Sequence, residues 1–306
     1  MTFGVRVLAG LMVALLSGAS AVAEPVKVVA SFSILADVVR NVGGARVAVT
    51  ALVGPDSDAH VYTPTPADAK SVAQADVVIV NGLGFEGWLD RLMKSAGRKA
   101  PYVVASKGLT PRKMPTEKES GHAHGHDHGK AGADPHAWQS VANVKVYVAN
   151  IRDALIAADG AGAETYRAQA TAYLAKLDAL DAEVRAAVAR VPVERRKVIT
   201  THDAFGYFAD AYGLAFIAPQ GVSTESEASA RDVARIITQI RAQKIPAVFL
   251  ENVNDPRLIK RIADETGAKI GGTLYSDALT RENGPAPTYI DLIRHNIKAL
   301  TGALLS

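Results

Sequence analysis

The chain has 306 residues, is 48% hydrophobic, balances 34 Lys and Arg against 31 Asp and Glu, and contains no cysteine. A formal charge of +3 gives no electrostatic footprint for nucleic acid or an anionic membrane surface. Without cysteine, thiolate-ligated zinc, thiol catalysis and iron–sulfur chemistry are excluded, and the core rather than disulfides must hold the fold.

The opening residues carry one Arg, an apolar run from Val7 to Leu16 and an Ala21-Val22-Ala23 step before Glu24. This predicts a signal peptide over 1–23, cleaved after Ala23, with an apolar run too short to span a membrane and an exported mature chain. Its removal leaves 33 basic against 31 acidic residues, a charge of +2. The remaining chain is long enough to form two domains.

From Val26 short β-branched runs alternate with amphipathic stretches. "VKVVAS" reads as a buried strand, "SILADVVRNVGG" as a helix and "RVAVTAL" as the next strand. The segment holding Pro55, Pro64 and Pro66 is a loop. A helix from Ala67 to Gln74, a strand "ADVVIVNG", a helix from Glu86 to Ser95 and a strand "PYVVAS" follow. This alternation predicts a parallel sheet covered on both faces. A loop over about 107–133, rich in Pro, Gly, Lys, Glu and His, breaks the rhythm and is expected to be mobile. A helix then runs from about Ser140 to Ala157.

Next come apolar residues at Tyr166, Ala170, Tyr173, Leu177, Leu180, Val184 and Val188, in steps of three and four that stop at Pro192. A helix of this length reaches roughly 40 Å, longer than a small domain needs for itself. Because strands resume after it, it reads as a rigid link. The second half repeats the alternation: "KVITT", "AFGYFADAY", "LAFIA", a loop "PQGVSTESE", a helix from Ala228 to Gln243, "PAVFLE", a helix from Asp255 to Thr266, "AKIGG" and a last helix after Pro287. The expected architecture is α/β: two parallel-sheet lobes at 24–160 and 193–306, a linking helix over 161–192, and a ligand cleft between the lobes beyond the carboxyl ends of the strands.

Metal-capable side chains placed just after strands locate a candidate site. His60 follows "RVAVTAL", His136 lies in the connection after "PYVVAS", His202 follows "KVITT", and Asp277 follows "AKIGG". Two come from each lobe. Three imidazoles and a carboxylate suit tetrahedral zinc, and four protein ligands close the shell, which favours holding a metal over activating water on it. Manganese favours more oxygen ligands. Each residue alone could be a solvated loop histidine, a turn residue or a helix cap; their shared placement raises the metal reading. His295 sits within the last helix and reads as structural.

The segment "GHAHGHDHG" places His122, His124, His126 and His128 among glycines. Alternating histidines in an extended chain face one side, and neutral imidazole is available to metal at pH 7. Ordering such a loop around an ion costs entropy, so a lower-affinity metal loop is expected beside the tight site, with a solvated loop as the alternative.

At these residues the sequence resembles the periplasmic zinc- and manganese-binding proteins of ABC importers, the cluster A-I solute-binding proteins. The resemblance rests on "ASFSILADVVRNVGG", "GPDSDAHVYTPTPADAKSVAQADVVIVNGLGFEGWLDRL", "DPHAW", "ITTHDAFGYFADAYGL" and "FLENVNDPRLIKRIADETGAKIGGTLYSDAL". It implies two α/β lobes bridged by a long helix and a metal site at His60, His136, His202 and Asp277. It further implies zinc, since manganese members often carry Glu at the position of His202 and zinc members often carry a His-rich insertion before the second ligand. Some zinc members have an acidic residue just before the first histidine, where this chain has Ala59.

The resulting expectation is a monomeric, non-enzymatic zinc-capturing protein that delivers its metal to an ABC membrane permease, with a periplasmic metallochaperone as a possible further partner and no nucleic-acid partner. Manganese cargo and a periplasmic zinc store are the alternatives. A zinc hydrolase is disfavoured, because no His-Glu-x-x-His helix or spare general base is present. Asp203, Glu225, Glu227 and Glu251 are unranked candidates for orienting the imidazoles.

Overall fold

Two four-stranded, all-parallel sheets organise the chain in a computed structural model that describes residues 24–97, 102–113 and 132–306. The expected signal peptide and His122, His124, His126 and His128 lie outside the described residues. The first sheet contains β1 (Val26–Phe32), β2 (Val47–Val53), β3 (Val77–Val80) and β4 (Val103–Val104) in the order β2-β1-β3-β4. The second contains β5 (Lys197–Ile199), β6 (Ala215–Ile217), β7 (Ala247–Glu251) and β8 (Lys269–Leu274) in the order β6-β5-β7-β8.

Both lobes therefore share one topology, in which the first strand is central and the chain crosses to its other side after the second. Such a switch point opens a crevice at the carboxyl ends of the central strands. The all-apolar "VVIV" of β3 is buried throughout, as a central parallel strand requires. The register runs from Val26 opposite Val47 to Phe32 opposite Val53, and Val28 pairs with Val77.

Local signals fix the helices. α1 spans Ser33–Gly43, and α2 spans Pro66–Gln74 behind a capping box in which Thr65 and Asp68 satisfy each other's backbone N–H. The expected helix from Glu86 begins later, as α3 (Leu89–Ser95). Glu86 is engaged elsewhere: it is buried and accepts from the Ser31 hydroxyl at 2.6 Å, the Asn81 N–H at 2.6 Å and the Gly82 N–H at 3.1 Å. α4 (Val141–Ala158) and α5 (Ala163–Ala189) follow. In the second lobe come α6 (Gly206–Tyr212), α7 (Ala230–Gln243), α8 (Arg257–Thr266) and α9 (Tyr289–Leu304). Gly213 and Gly267 end α6 and α8 at φ of +78° and +73°, a region glycine enters without steric cost.

The buried stripe of α5 consists of Tyr166, Ala170, Tyr173, Leu177, Leu180, Val184 and Val188. It packs on α1 and α4 of the first lobe and on α6 and α9 of the second, and one apolar core runs through both lobes along it. A smaller core in the second lobe gathers Ile199, Ile236, Ile240 and Ile259. Buried hydrogen bonds also cross between the lobes: Leu279 N–H to Ser33 Oγ at 3.0 Å, Tyr289 N–H to Asp37 at 2.9 Å, and the Trp138 indole to Ser276 O at 2.9 Å.

The start of the loop expected over about 107–133 lies within the described residues. Asn150 donates to Lys107 O, the Tyr207 hydroxyl accepts from Arg112 N–H, and Lys113 bridges Ala133, so residues 107–113 are tied to the second ligand segment. Apolar Leu109, packed on the core, anchors this stretch against its polar neighbours.

Candidate metal centre

Four side chains converge from loops of both lobes. His60 comes from the loop after β2, His136 from the turn before α4, His202 from the loop after β5, and Asp277 from the loop after β8. One ligand atom of each lies within 4.8 Å of all the others. His136, His202 and Asp277 are fully buried, and His60 is 7% exposed. The Nε2 atoms of His60 and His136 are 3.3 Å apart, His60 Nε2 is 3.3 Å from Asp277 Oδ2, and His202 Nε2 is 3.1 Å from the same oxygen. His136 Nε2 is 3.6 Å from Asp277 Oδ1.

These separations test the fit of a metal. Ligands about 2.05 Å from a tetrahedral zinc stand roughly 3.3 Å apart, the edge of that tetrahedron. Both oxygens of Asp277 and Nε2 of His202 are buried with no hydrogen-bond partner among the described residues. Buried polar atoms are ordinarily paired, so the chemistry of this donor set fits a cation.

Carboxylates behind the ring orient two of the imidazoles. Asp134 Oδ1 lies 2.9 Å from His136 Nδ1 and also accepts the His136 N–H at 3.0 Å. Glu251 Oε2 lies 2.6 Å from His202 Nδ1, while its Oε1 accepts the N–H groups of Thr201 at 2.6 Å and His202 at 3.0 Å. The Asp134 contact suits a proton on His136 Nδ1 with Nε2 left to ligate, and Glu251 stands as an ion-pair partner at the same position of the His202 ring. For His60, Asp58 Oδ1 accepts the backbone N–H at 2.9 Å, and the Trp88 indole donates to Ala59 O at 2.8 Å. Asn81 donates to Pro135 O at 2.9 Å and so fixes the turn that presents His136.

Phe85 stands edge-on to His60 at 4.9 Å between ring centroids, and Trp138 to His136 at 5.2 Å. This aromatic wall keeps water from the inner side of the site. Burial alone would raise the Asp277 carboxyl, but the facing His202 and His136 imidazoles hold it well below the usual carboxylate range. Burial would lower His202, yet Glu251 and Asp277 outweigh it and raise its pKa well above that of free imidazole.

Of the four orienters considered from sequence, Glu251 fills the role. Glu225 lines a cavity beside His60, and Glu227 lines a separate cavity on the second lobe with Asn254 and Arg257. Asp203 is shifted up, first by burial and then by Asp134, and its N–H donates to Gly221 O. Sequence reasoning missed Asp134 and Asp58. The signal was the repeated Asp-x-His spacing at 58–60 and 134–136, which lets an aspartate accept the N–H two residues on. His295 stands apart, 3.0 Å from Thr273 O and edge-on to Tyr275.

Comparison with known proteins agrees with this arrangement. The family of periplasmic component A proteins of zinc-uptake complexes matches residues 28–303. The chain belongs to this family. It is thus a metal-binding component of an uptake system and not an enzyme. Its relatives include an iron-binding protein of Yersinia pestis, 36% identical over 278 residues, with 91% of this chain and 86% of the relative covered. A manganese-binding lipoprotein of Halalkalibacterium halodurans is 35% identical over 288 residues, covering 94% of this chain and 91% of the relative. Among solved structures, a periplasmic zinc-binding protein from Treponema pallidum superposes with a TM-score of 0.81 at 31% identity, covering 92% of this chain and 99% of that one. A manganese-bound periplasmic metal-binding protein from Candidatus Liberibacter asiaticus gives 0.77 at 31% identity, covering 92% and 100%.

Proposed function

We propose that the chain is exported, with cleavage after Ala23, captures zinc in the periplasm through His60, His136, His202 and Asp277, and releases it to the membrane permease of an ABC importer. The observation that carries this reading is the buried set of three imidazole nitrogens and one carboxylate, drawn from both lobes, whose ligand atoms lie within 4.8 Å of one another and make contacts of 3.1 to 3.6 Å. A shell closed by four protein ligands suits holding a cation for transfer. The lobes at 24–160 and 193–306 and a linking helix over 161–192 supply the scaffold, and the extensive contact along α5 supports small rather than wide lobe motion. His122, His124, His126 and His128 are assigned the role of a lower-affinity collector, on composition alone.

Relatives described as binding manganese and iron favour a second reading, in which the same site carries one of those ions. Affinity in vitro separates these poorly, because a nitrogen and oxygen site holds zinc more tightly than manganese whatever its cargo. The deciding experiment is uptake in cells that depend on this chain. Zinc-limited growth and zinc accumulation restored by the wild type but not by His202→Ala support zinc. Rescue confined to manganese- or iron-limited medium supports the second reading.

A further inference from the structure

His60 is the ligand with access to solvent: it is 7% exposed, whereas His136, His202 and Asp277 are fully covered. It forms the floor of a cavity of about 420 Å³ walled by Tyr62, Trp88 and Arg91 of the first lobe and by Glu225 of the second. Glu225 belongs to the stretch between β6, which ends at Ile217, and α7, which starts at Ala230; it contains neither helix nor strand. The root of this stretch is pinned beside the third ligand, where Gln220 N–H donates to Thr201 O at 3.3 Å and Gly221 O accepts from Asp203 N–H at 3.1 Å. Further along, it reaches across the cleft. The Thr224 hydroxyl donates to Asp58 Oδ2 at 2.6 Å, and the other oxygen of the same carboxylate accepts the His60 N–H at 2.9 Å.

We propose that residues 219–229 are the door of the metal centre, latched by the Thr224–Asp58 hydrogen bond, so that metal passes in and out beside His60 and beneath Glu225. Elsewhere the lobes are joined by a continuous apolar core and buried hydrogen bonds, which resist opening. The latch is only partly buried and joins an irregular segment to the loop of the most accessible ligand. Irregular segments held by few contacts open at low free-energy cost. Asp58 is a positioning residue in this scheme: it sets the backbone of His60 and fastens the door with one carboxylate. The inference rests on the assignment of the four metal ligands.

The test uses zinc alone, with stopped-flow association to metal-free protein and dissociation driven by a chromophoric chelator. Thr224→Val keeps the shape and removes the donor. Association and dissociation should both accelerate about tenfold, equivalent to about 1.4 kcal/mol off each barrier. The equilibrium affinity should stay within about threefold, because Thr224 touches no ligand atom. Thr224→Ser should restore wild-type rates, and Thr224→Ala should repeat the acceleration. Rates within about twofold of wild type would overturn the door. So would faster dissociation matched by an equal loss of affinity, since that marks mere support of the bound site. Failure of the wild-type chain to bind zinc would overturn the ligand assignment itself.

Discussion

Glu251→Gln changes one group at the back of the metal centre and tests how an imidazole is prepared for its ligand. Glu251 Oε1 accepts two backbone N–H groups, from Thr201 and His202, so the glutamine oxygen must take that position to keep them satisfied. The glutamine NH2 then faces His202 Nδ1, at the place where an acceptor now stands 2.6 Å away. An NH2 donor there favours the tautomer with its proton on Nε2, which is the ligating atom. Metal must displace that proton and also loses the basicity lent by the carboxylate. Outer-shell changes of this kind cost about 10- to 100-fold in metal affinity, or roughly 1.4 to 2.7 kcal/mol. Because His202 and Glu251 are buried, solvent cannot substitute for the lost acceptor, and the upper half of that range is expected. Zinc titration in competition with a chelator of known affinity reads the change. An affinity within twofold of wild type, in a variant with unchanged metal-free thermal stability, would refute the argument.

Further outcomes follow from the same structure. Zinc at about 100 times its dissociation constant should stabilise the wild-type chain by about 2.7 kcal/mol, visible as a concentration-dependent rise in Tm that is absent in His60→Ala. Burial pushes the Asp37 carboxyl from 3.8 up to about 6, against the lowering effect of the Tyr289 N–H. A pKa raised on folding gives stability that is full below about pH 4 and lost as pH rises through 6, so Asp37→Asn should gain up to about 3 kcal/mol relative to wild type between pH 4 and 7. Urea unfolding at both pH values checks this, and a pH-independent difference would contradict it. Leu177→Ala, in the fully buried stripe of α5, should lower stability by about 2–5 kcal/mol by denaturant unfolding while leaving one zinc per chain by metal analysis.

Much of the fold was legible because each element carries its own periodicity. The stripe from Tyr166 to Val188 was readable in steps of three and four, and those residues are the buried ones. Strand starts were clear where β-branched runs are buried on both faces, as in β3. What failed depended on contacts distant in sequence. The start of α3 moved because Glu86 bonds to Ser31 and to the end of β3, and β4 shrank to two residues. The four candidate ligands were placed by their positions after strands, and it is the packing of both lobes along α5 that brings those loops together. Their orienters could not be ranked: Glu251 reaches His202 only through the neighbouring strand, and Asp134, just past the loop expected over about 107–133, was not among the residues weighed.

The most direct test of the metal centre is a crystal structure of the zinc-loaded chain with anomalous data collected at the zinc edge. The account predicts a strong peak between the lobes, about 2.0 to 2.2 Å from Nε2 of His60, His136 and His202 and from a carboxylate oxygen of Asp277. A fully loaded protein whose peak lies elsewhere, with these four side chains unliganded, would contradict it.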